Sequence, residues 1–552
     1  MDDKPTPRPS TTRRRLIVTG IVAAAVAVVT ILVVIALRNP AAPPEPEVTP
    51  TPGTAPYTLT PRDDPYRPAI HLTPERHWMN DPQRPFLLGG VWHYYYLYNE
   101  DYPDGNGTEW YHATSTDLMN WTDHGVAIEK YTTGLGDIWT GTAVVDEENT
   151  AGFGAGAVIA VVTQQVDGVQ RQSLFVSKDD GYNFEPYDGN PVMENPGVRD
   201  FRDPRVIWDV QRRQWVMALA EGGKIGFYTS SDLKQWVYAS SFEAPDLGVL
   251  ECPDLFPMAV DGDPSNIRWI LMAGANGSTE NMTTGTVYWT GSWDGGGFTA
   301  DPTAHQWLDR GADFYAAVTW DDPRLPAGER LTERYSIGWL NNWAYAGQLP
   351  TTRWHGGSDT LVRTLTLTKM TDRLTLTSRP LDALASLEGA PQPVEAVTLT
   401  PDNPYPLPDP AADAYRVRAE FDADASAGSE ARIRIPRGNG TFATVGYDFA
   451  TQTAFVARDA DAIAATMPDA YRTIRTVHAP PREGRVRLDI VVDVGSVEVF
   501  LPETGASLSM ISLGTTDAAH LDVQAVRADT VLREASVTPL RPMEVARRVV
   551  SD

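Results

Sequence analysis

The chain has 552 residues, room for two or three domains, with a formal net charge of −26 and a pI near 4.7. So acidic a surface repels phosphate backbones, which sets nucleic acid aside as a partner and leaves neutral substrates open. One cysteine, Cys252, excludes an intrachain disulfide and a thiolate cluster, and the nine histidines lack metal-type spacing, so neither metal nor cofactor is expected.

Residues 16–37 carry no charge and follow Arg13, Arg14 and Arg15. Twenty-two uncharged, mostly apolar residues span a bilayer as a helix. The preceding arginines place the N-terminus inside. The expectation is a cytoplasmic piece over 1–15 and a single-pass anchor over 16–37, with the rest outside the cell. A long cleaved signal and a secreted protein are the alternative. Seven prolines between 39 and 56 make 38–64 an extended linker.

From about residue 65 an Asp-x-x-x-aromatic unit recurs, at Asp117–Trp121, Asp180–Phe184, Asp232–Trp236 and Asp294–Phe298. Its aromatic positions are 63, 52 and 62 residues apart, and each unit follows a run rich in apolar or aromatic residues. Strand, tight turn and strand at this period predict a β-propeller, with five blades over 65–372 and the aspartates as turn formers. Past about 375 the pattern becomes strict alternation, as in Tyr415, Val417, Ala419, Phe421 and in Val486, Leu488, Ile490, Val492. Period two means half-buried strands, so 373–545 reads as a β-sandwich. Helical patterning is confined to a short piece near Leu381 to Leu387. The expected fold class is all-β, propeller then sandwich, behind an N-terminal transmembrane helix.

Three acidic motifs closed by proline lie in the propeller region: Asn80-Asp81-Pro82, Arg202-Asp203-Pro204 and Glu251-Cys252-Pro253. Proline fixes its own φ and restricts the residue before it, which aims a neighbouring side chain. Asp-Pro alone is a common turn, but three such motifs in one enzyme-sized region suggest a carboxylate pocket. Two carboxylates flanking a bond are what glycoside hydrolysis requires. Cys252 reads as a buried packing thiol.

With their flanks, Trp78-Met79-Asn80-Asp81-Pro82, Phe201-Arg202-Asp203-Pro204 and Glu251-Cys252-Pro253-Asp254 resemble the signature motifs of glycoside hydrolase family 32. That family contains invertases, inulinases, levanases and fructosyltransferases. The segments starting at Trp110, Trp139, Asp313 and Trp339 resemble it too. The resemblance implies a propeller and sandwich, a fructan partner and retaining cleavage of β-fructosyl bonds. It makes Asp81 the nucleophile, Glu251 the acid/base and Asp203 the transition-state stabiliser. Asn80, Trp110, Trp139, Thr140, Arg202, Tyr315 and Trp343 match positions lining the fructose site. From sequence neighbours, Arg202 is expected to keep nearby carboxylates charged, and Glu251, with no adjacent cation, to be the desolvated acid.

The chain departs from the family pattern at Gln83-Arg84-Pro85, and at Leu97 and Val318, which stand where glutamine is frequent. The variants Asp81-Pro82-Gln83-Arg84-Pro85 and Ala316-Ala317-Val318-Thr319-Trp320, with the segment Thr150–Ala157, resemble the levan-acting bacterial branch. The reading is a levanase cutting β-2,6 linkages. The alternatives are a levan fructotransferase forming a cyclic difructose anhydride, a broad β-fructofuranosidase for sucrose or inulin, and a non-catalytic fructan-binding module.

Overall fold

The computed structural model describes residues 57–548, apart from 63, 278–279, 281, 371–372 and 515–520. The expected anchor and the linker up to 56 lie outside the described residues, among which no helix is long and apolar enough to cross a membrane.

The first part is a series of antiparallel meanders. β1 (His77–Leu88), β2 (Val91–Asn99), β3 (Glu109–Ser115) and β4 (Trp121–Ile128) pair in chain order. So do β5 (Asp137–Asp146), β6 (Ala157–Val166), β7 (Val169–Ser177) and β8 (Glu185–Pro186). A third sheet holds β9 (Arg202–Asp209), β10 (Gln214–Ala220), β11 (Lys224–Ser230) and β12 (Val237–Glu243). A ten-stranded sheet then carries β13 (Leu250–Val260), β14 (Asp263–Ala275), β15 (Gly285–Trp293) and β16 (Phe298–Ala300). It also carries β17 (Tyr315–Trp320), β18 (Arg334–Leu340), β19 (Arg363–Lys369) and β20 (Leu374–Pro380).

The middle strands are apolar on both faces because each sheet is packed between two others. In β6, Val158, Ala160 and Val162 join Tyr95 and Trp110 of the first sheet, while Ile159 and Val161 join Val206 and Met217 of the third, and Phe201 just before it. In β10, Trp215, Met217 and Leu219 face back toward β6, and Val216, Ala218 and Ala220 face forward to Leu255 and Leu271. Each fully buried valine or leucine contributes about 1.5–3 kcal/mol, so this sheet-on-sheet packing is the core.

The recurring aspartate sits between the third and fourth strands of successive meanders. Asp117 Oδ1 accepts the amides of Met119 and Asn120, Asp232 Oδ1 those of Lys234 and Gln235, and Asp294 Oδ1 those of Gly296 and Gly297. In the second meander the turn former is Asp179, which accepts the Asn183 amide and the Ser177 hydroxyl, rather than Asp180. The unit that carries the turn is therefore Ser-x-Asp, as Ser115 with Asp117 and Ser230 with Asp232 repeat.

A 3-10 turn at Asp382–Leu387 leads into the second part. There a seven-stranded and a six-stranded antiparallel sheet enclose one core of Val417, Phe421, Ile433, Val445, Leu488 and Ile490, a β-sandwich as the alternation predicted. Arg416, on the opposite face of its strand, pairs with Asp489 and Glu388. Tyr57–Leu59, inside the segment expected as linker, pairs with Val545–Arg548, which runs parallel to β4. β20 belongs to the propeller-like sheets although it begins past the expected boundary at 372.

Candidate active site

β1, β5, β9, β13 and β17 each break register with the next strand near their N-terminal ends. The irregularities fall between Met79 and Pro82, Ile138 and Gly141, Arg202 and Arg205, Glu251 and Asp254, and Tyr315 and Val318. A bulge inserts a residue into one strand and re-aims its side chains. Here the bulges hold Asn80 and Asp81, Trp139 and Thr140, Asp203, Cys252 and Ala316. Asp203, Cys252 and Ala316 adopt positive φ of 62°, 47° and 48°, strained for residues with a side chain. Pro204 and Pro253 sit in two of these bulges and Pro82 closes a third, where a residue without an N–H interrupts the ladder least. The acidic Pro motifs are thus bulge sequences.

The bulges bring the predicted carboxylates into one cavity of about 390 Å³, lined by Asp81, Asp203 and Glu251 with Asn80, Trp139, Thr140, Arg202, Tyr315 and Trp343. Asp81 Oδ2 accepts the Thr140 hydroxyl at 2.7 Å and Oδ1 the Asn80 amide at 3.1 Å. The indole of Trp78 donates to Asn80 Oδ1 at 3.0 Å and thereby orients it. Asp203 Oδ2 accepts the Cys252 amide at 3.0 Å, and the Cys252 thiol lies 3.5 Å from Asp81 Oδ2 and 3.7 Å from Asp203 Oδ2. Glu251 Oε1 accepts from Arg202 Nη2 at 3.0 Å, and Oε2 accepts the Tyr315 hydroxyl.

Burial raises the Asp81 carboxyl above its ordinary value; the Thr140 and Asn80 bonds work against this and the Glu251 charge adds to it. Burial also pushes Asp203 up, to about 7, with Arg202 opposing and Glu251 and Asp81 reinforcing. Two sequence-based expectations are corrected here. Glu251 does have a cation, because Arg202 reaches across from a strand 49 positions earlier. Arg202 is shared with Asp200 at 2.6 Å and lies 4.0 Å from Asp203, so it does not keep that carboxyl low.

Trp110 is fully buried and does not line the cavity; its indole donates to the Trp139 carbonyl at 3.0 Å, holding the β5 bulge from behind. Trp139 lines the cavity and is pinned by Asp137 at 2.8 Å. Trp343, half exposed at the edge, stacks on Trp78 with centroids 6.1 Å apart. Of the two positions where glutamine is frequent, Leu97 lines the cavity, whereas Val318 packs with Trp320 and Ile337 in the core.

Sequence reasoning missed Trp78, Asn99, Tyr102 and Gln165 on the cavity wall. Trp78 stood within the first motif and could have been found; the others carry no local signal. Gln83 is wholly buried, donates to the Asp81 carbonyl at 2.9 Å and accepts the Gly141 amide at 2.8 Å, joining two bulges. Among the described residues no group of three or more side chains could hold a metal ion.

Residues 71–380 match the N-terminal domain of glycosyl hydrolases family 32 and residues 384–538 its C-terminal domain. The chain is 42% identical over 447 residues to a levanbiose-producing levanase of Bacillus subtilis, covering 79% of this chain and 83% of that one. It is 50% identical over 318 residues to a levanbiose-producing levanase of Geobacillus stearothermophilus, covering 57% and 80%. The crystal structure of exo-inulinase from Aspergillus awamori superposes with a TM-score of 0.78 at 28% identity, over 87% of this chain and 99% of that one. With both of the family's domains spanning nearly all the described residues, the chain belongs to glycosyl hydrolase family 32 and is a glycosidase.

Proposed function

We propose that the protein is a levanase that cleaves β-2,6-fructosyl linkages with retention of configuration. The observation that carries the chemistry is the convergence of Asp81, Asp203 and Glu251 from three bulged strands on one cavity. Levan as substrate is supported by the levanases to which the chain is 42% and 50% identical. Asp81 attacks the anomeric carbon while Glu251 gives its proton to the leaving oxygen, so the glycosidic bond breaks as a fructosyl ester forms. Glu251 then takes a proton from water, which attacks the ester and frees Asp81. Thr140 and Asn80 fix the attacking carboxylate, and Tyr315 and Arg202 hold Glu251. Asp203 accepts from fructose hydroxyls. The other wall residues offer aromatic faces at Trp139 and Trp343.

Five blades are part of this reading. β13 and β19 meet in parallel through one pair, Val260 and Leu367, while β17–β20 otherwise form their own meander. The ten-stranded sheet is then two blades, β13–β16 and β17–β20, joined by that bridge. The uncharged stretch 16–37 behind three arginines supports anchoring in the cell membrane, with the catalytic part outside.

The test is incubation with levan, inulin and sucrose and chromatography of the products. Fructose or levanbiose from levan, faster than from inulin or sucrose, is expected. A cyclic nonreducing disaccharide would instead make the protein a transferase, and faster turnover of inulin or sucrose would overturn levan as the substrate.

A further inference from the structure

A cavity of about 390 Å³ lies near the low end of small-molecule sites, ~300–1,000 Å³, so a polymer held at the carboxylates must leave across the rim. On that rim the loop 129–136, between β4 and β5, holds Tyr131 at φ +60°. A bulky residue seldom adopts this left-handed backbone, and such strain concentrates at functional positions. Tyr131 is nonetheless 58% exposed.

Its position is closely determined. Tyr131 Oη donates to the Asn106 carbonyl at 3.1 Å, and a Cβ at Gly107 would stand 2.2 Å from that hydroxyl. Asn106 and Gly107 both line the cavity. Lys130, with only 6% of its side chain exposed, bonds Asn99 Oδ1 at 2.8 Å, the Gly107 carbonyl at 3.3 Å and Asp101 at 2.8 Å. Thr133 accepts Gln164 Nε2 at 3.0 Å, and the Tyr131 amide closes the loop on the Gly136 carbonyl at 3.0 Å. The loop is tied to the cavity wall and presents outward one aromatic face. An exposed ring adds little to folding, since only buried apolar area contributes. A ring with two rotatable bonds, fixed by its own hydroxyl, is preorganised to bind an apolar sugar face.

We propose that Tyr131 is a stacking platform for a sugar unit lying outside the cavity, and that it sets the preference for polymer over short fructosides. This rests on the fructan reading above. The experiment measures kcat/KM on levan and on the shortest fructoside the protein cleaves, for the unaltered protein, Tyr131→Ala and Tyr131→Phe. Tyr131→Ala is expected to lower the ratio of the two values about three- to tenfold, chiefly through KM on levan. Tyr131→Phe, which keeps the ring and loses only the hydroxyl's bond to Asn106, is expected to lower the ratio less than Tyr131→Ala does. An unchanged ratio in Tyr131→Ala, or a Tyr131→Phe variant as impaired as Tyr131→Ala, would reduce Tyr131 to a clamp on the loop and overturn the proposal. Failure of the unaltered protein to cleave any fructan would refute the fructan reading itself, before any variant is compared.

Discussion

Where the propeller-like sheets meet the sandwich, carboxylates are buried together with cations; in the cavity they are gathered beside one another. At the junction Asp493 accepts the Ala69 and Ile70 amides and His71 Nδ1, while Glu498 accepts His71 Nε2, the Leu361 amide and Arg363. Burial alone would raise Glu498, but Arg363 and His71 outweigh it and pull the carboxyl down to about 2. Burial would lower His71, yet its two carboxylate partners lift it to about 9. In the cavity Arg202 is divided among Asp200, Glu251 and Asp203, and both Asp81 and Asp203 end above the ordinary carboxylate range. Full compensation locks two domains together. Partial compensation leaves Asp81 and Asp203 easier to protonate than free carboxyls, an arrangement that marks a functional site rather than a structural tie.

Breaking the cavity's side of this contrast gives the largest effect. Asp81→Ala is expected to reduce levan turnover to background, and Glu251→Ala to reduce it about 10²–10⁴-fold, with the fold retained by circular dichroism. Breaking the junction's side acts on stability. Arg363→Met leaves Asp309 buried without its cation and Glu498 with His71 alone, and should cost about 3–5 kcal/mol in a denaturant titration. The junction also has a pH window. The His71 contribution is complete below its unfolded value of about 6.5 and lost as pH rises through about 9. The Glu498 contribution is complete above about 4.5 and lost as pH falls through about 2, so the unaltered junction holds best between those unfolded values.

Asp203 carries the opposite sign to Glu498. Its folded pKa of about 7 lies above the ordinary 3.8, so it favours folding fully below 3.8 and loses that contribution as pH rises to about 7. Asp203→Asn should therefore flatten the fall in Tm between pH 4 and pH 8, with Tm at pH 8 above that of the unaltered protein, while activity drops. The smallest effect is expected at Cys252. Burial and the surrounding carboxylates hold its thiol well above the ordinary range, so it should resist iodoacetamide at pH 8. Cys252→Ala should lower turnover less than tenfold, because the Asp203 contact at 3.0 Å comes from the backbone amide.

Much of this was legible because it is local. Asp81, Asp203 and Glu251 announce themselves by the prolines that follow, and Val417 or Leu488 by strict alternation. The turn unit was legible too, although at Asp180 the aromatic spacing misplaced the turn former by one residue, since Ser177 and Asn183 select Asp179. What stayed hidden depends on chain segments that meet only in the fold. Arg202 on Glu251, Gln83 between two bulges and the burial of Trp110 behind Trp139 are contacts over 49, 58 and 29 positions. Charge neighbours in sequence gave the wrong electrostatics for the same reason: the strand pairing, not the chain, decides which cation faces which acid.

The most direct test of the assigned roles is azide rescue of Asp81→Gly and Glu251→Gly on a fructoside with a good leaving group, with product configuration read by NMR. The account predicts a fructosyl azide of inverted configuration from Asp81→Gly, where azide replaces the missing nucleophile. It predicts retained configuration from Glu251→Gly, where azide attacks the Asp81 ester. Retention from Asp81→Gly, or inversion from Glu251→Gly, would contradict the assignment.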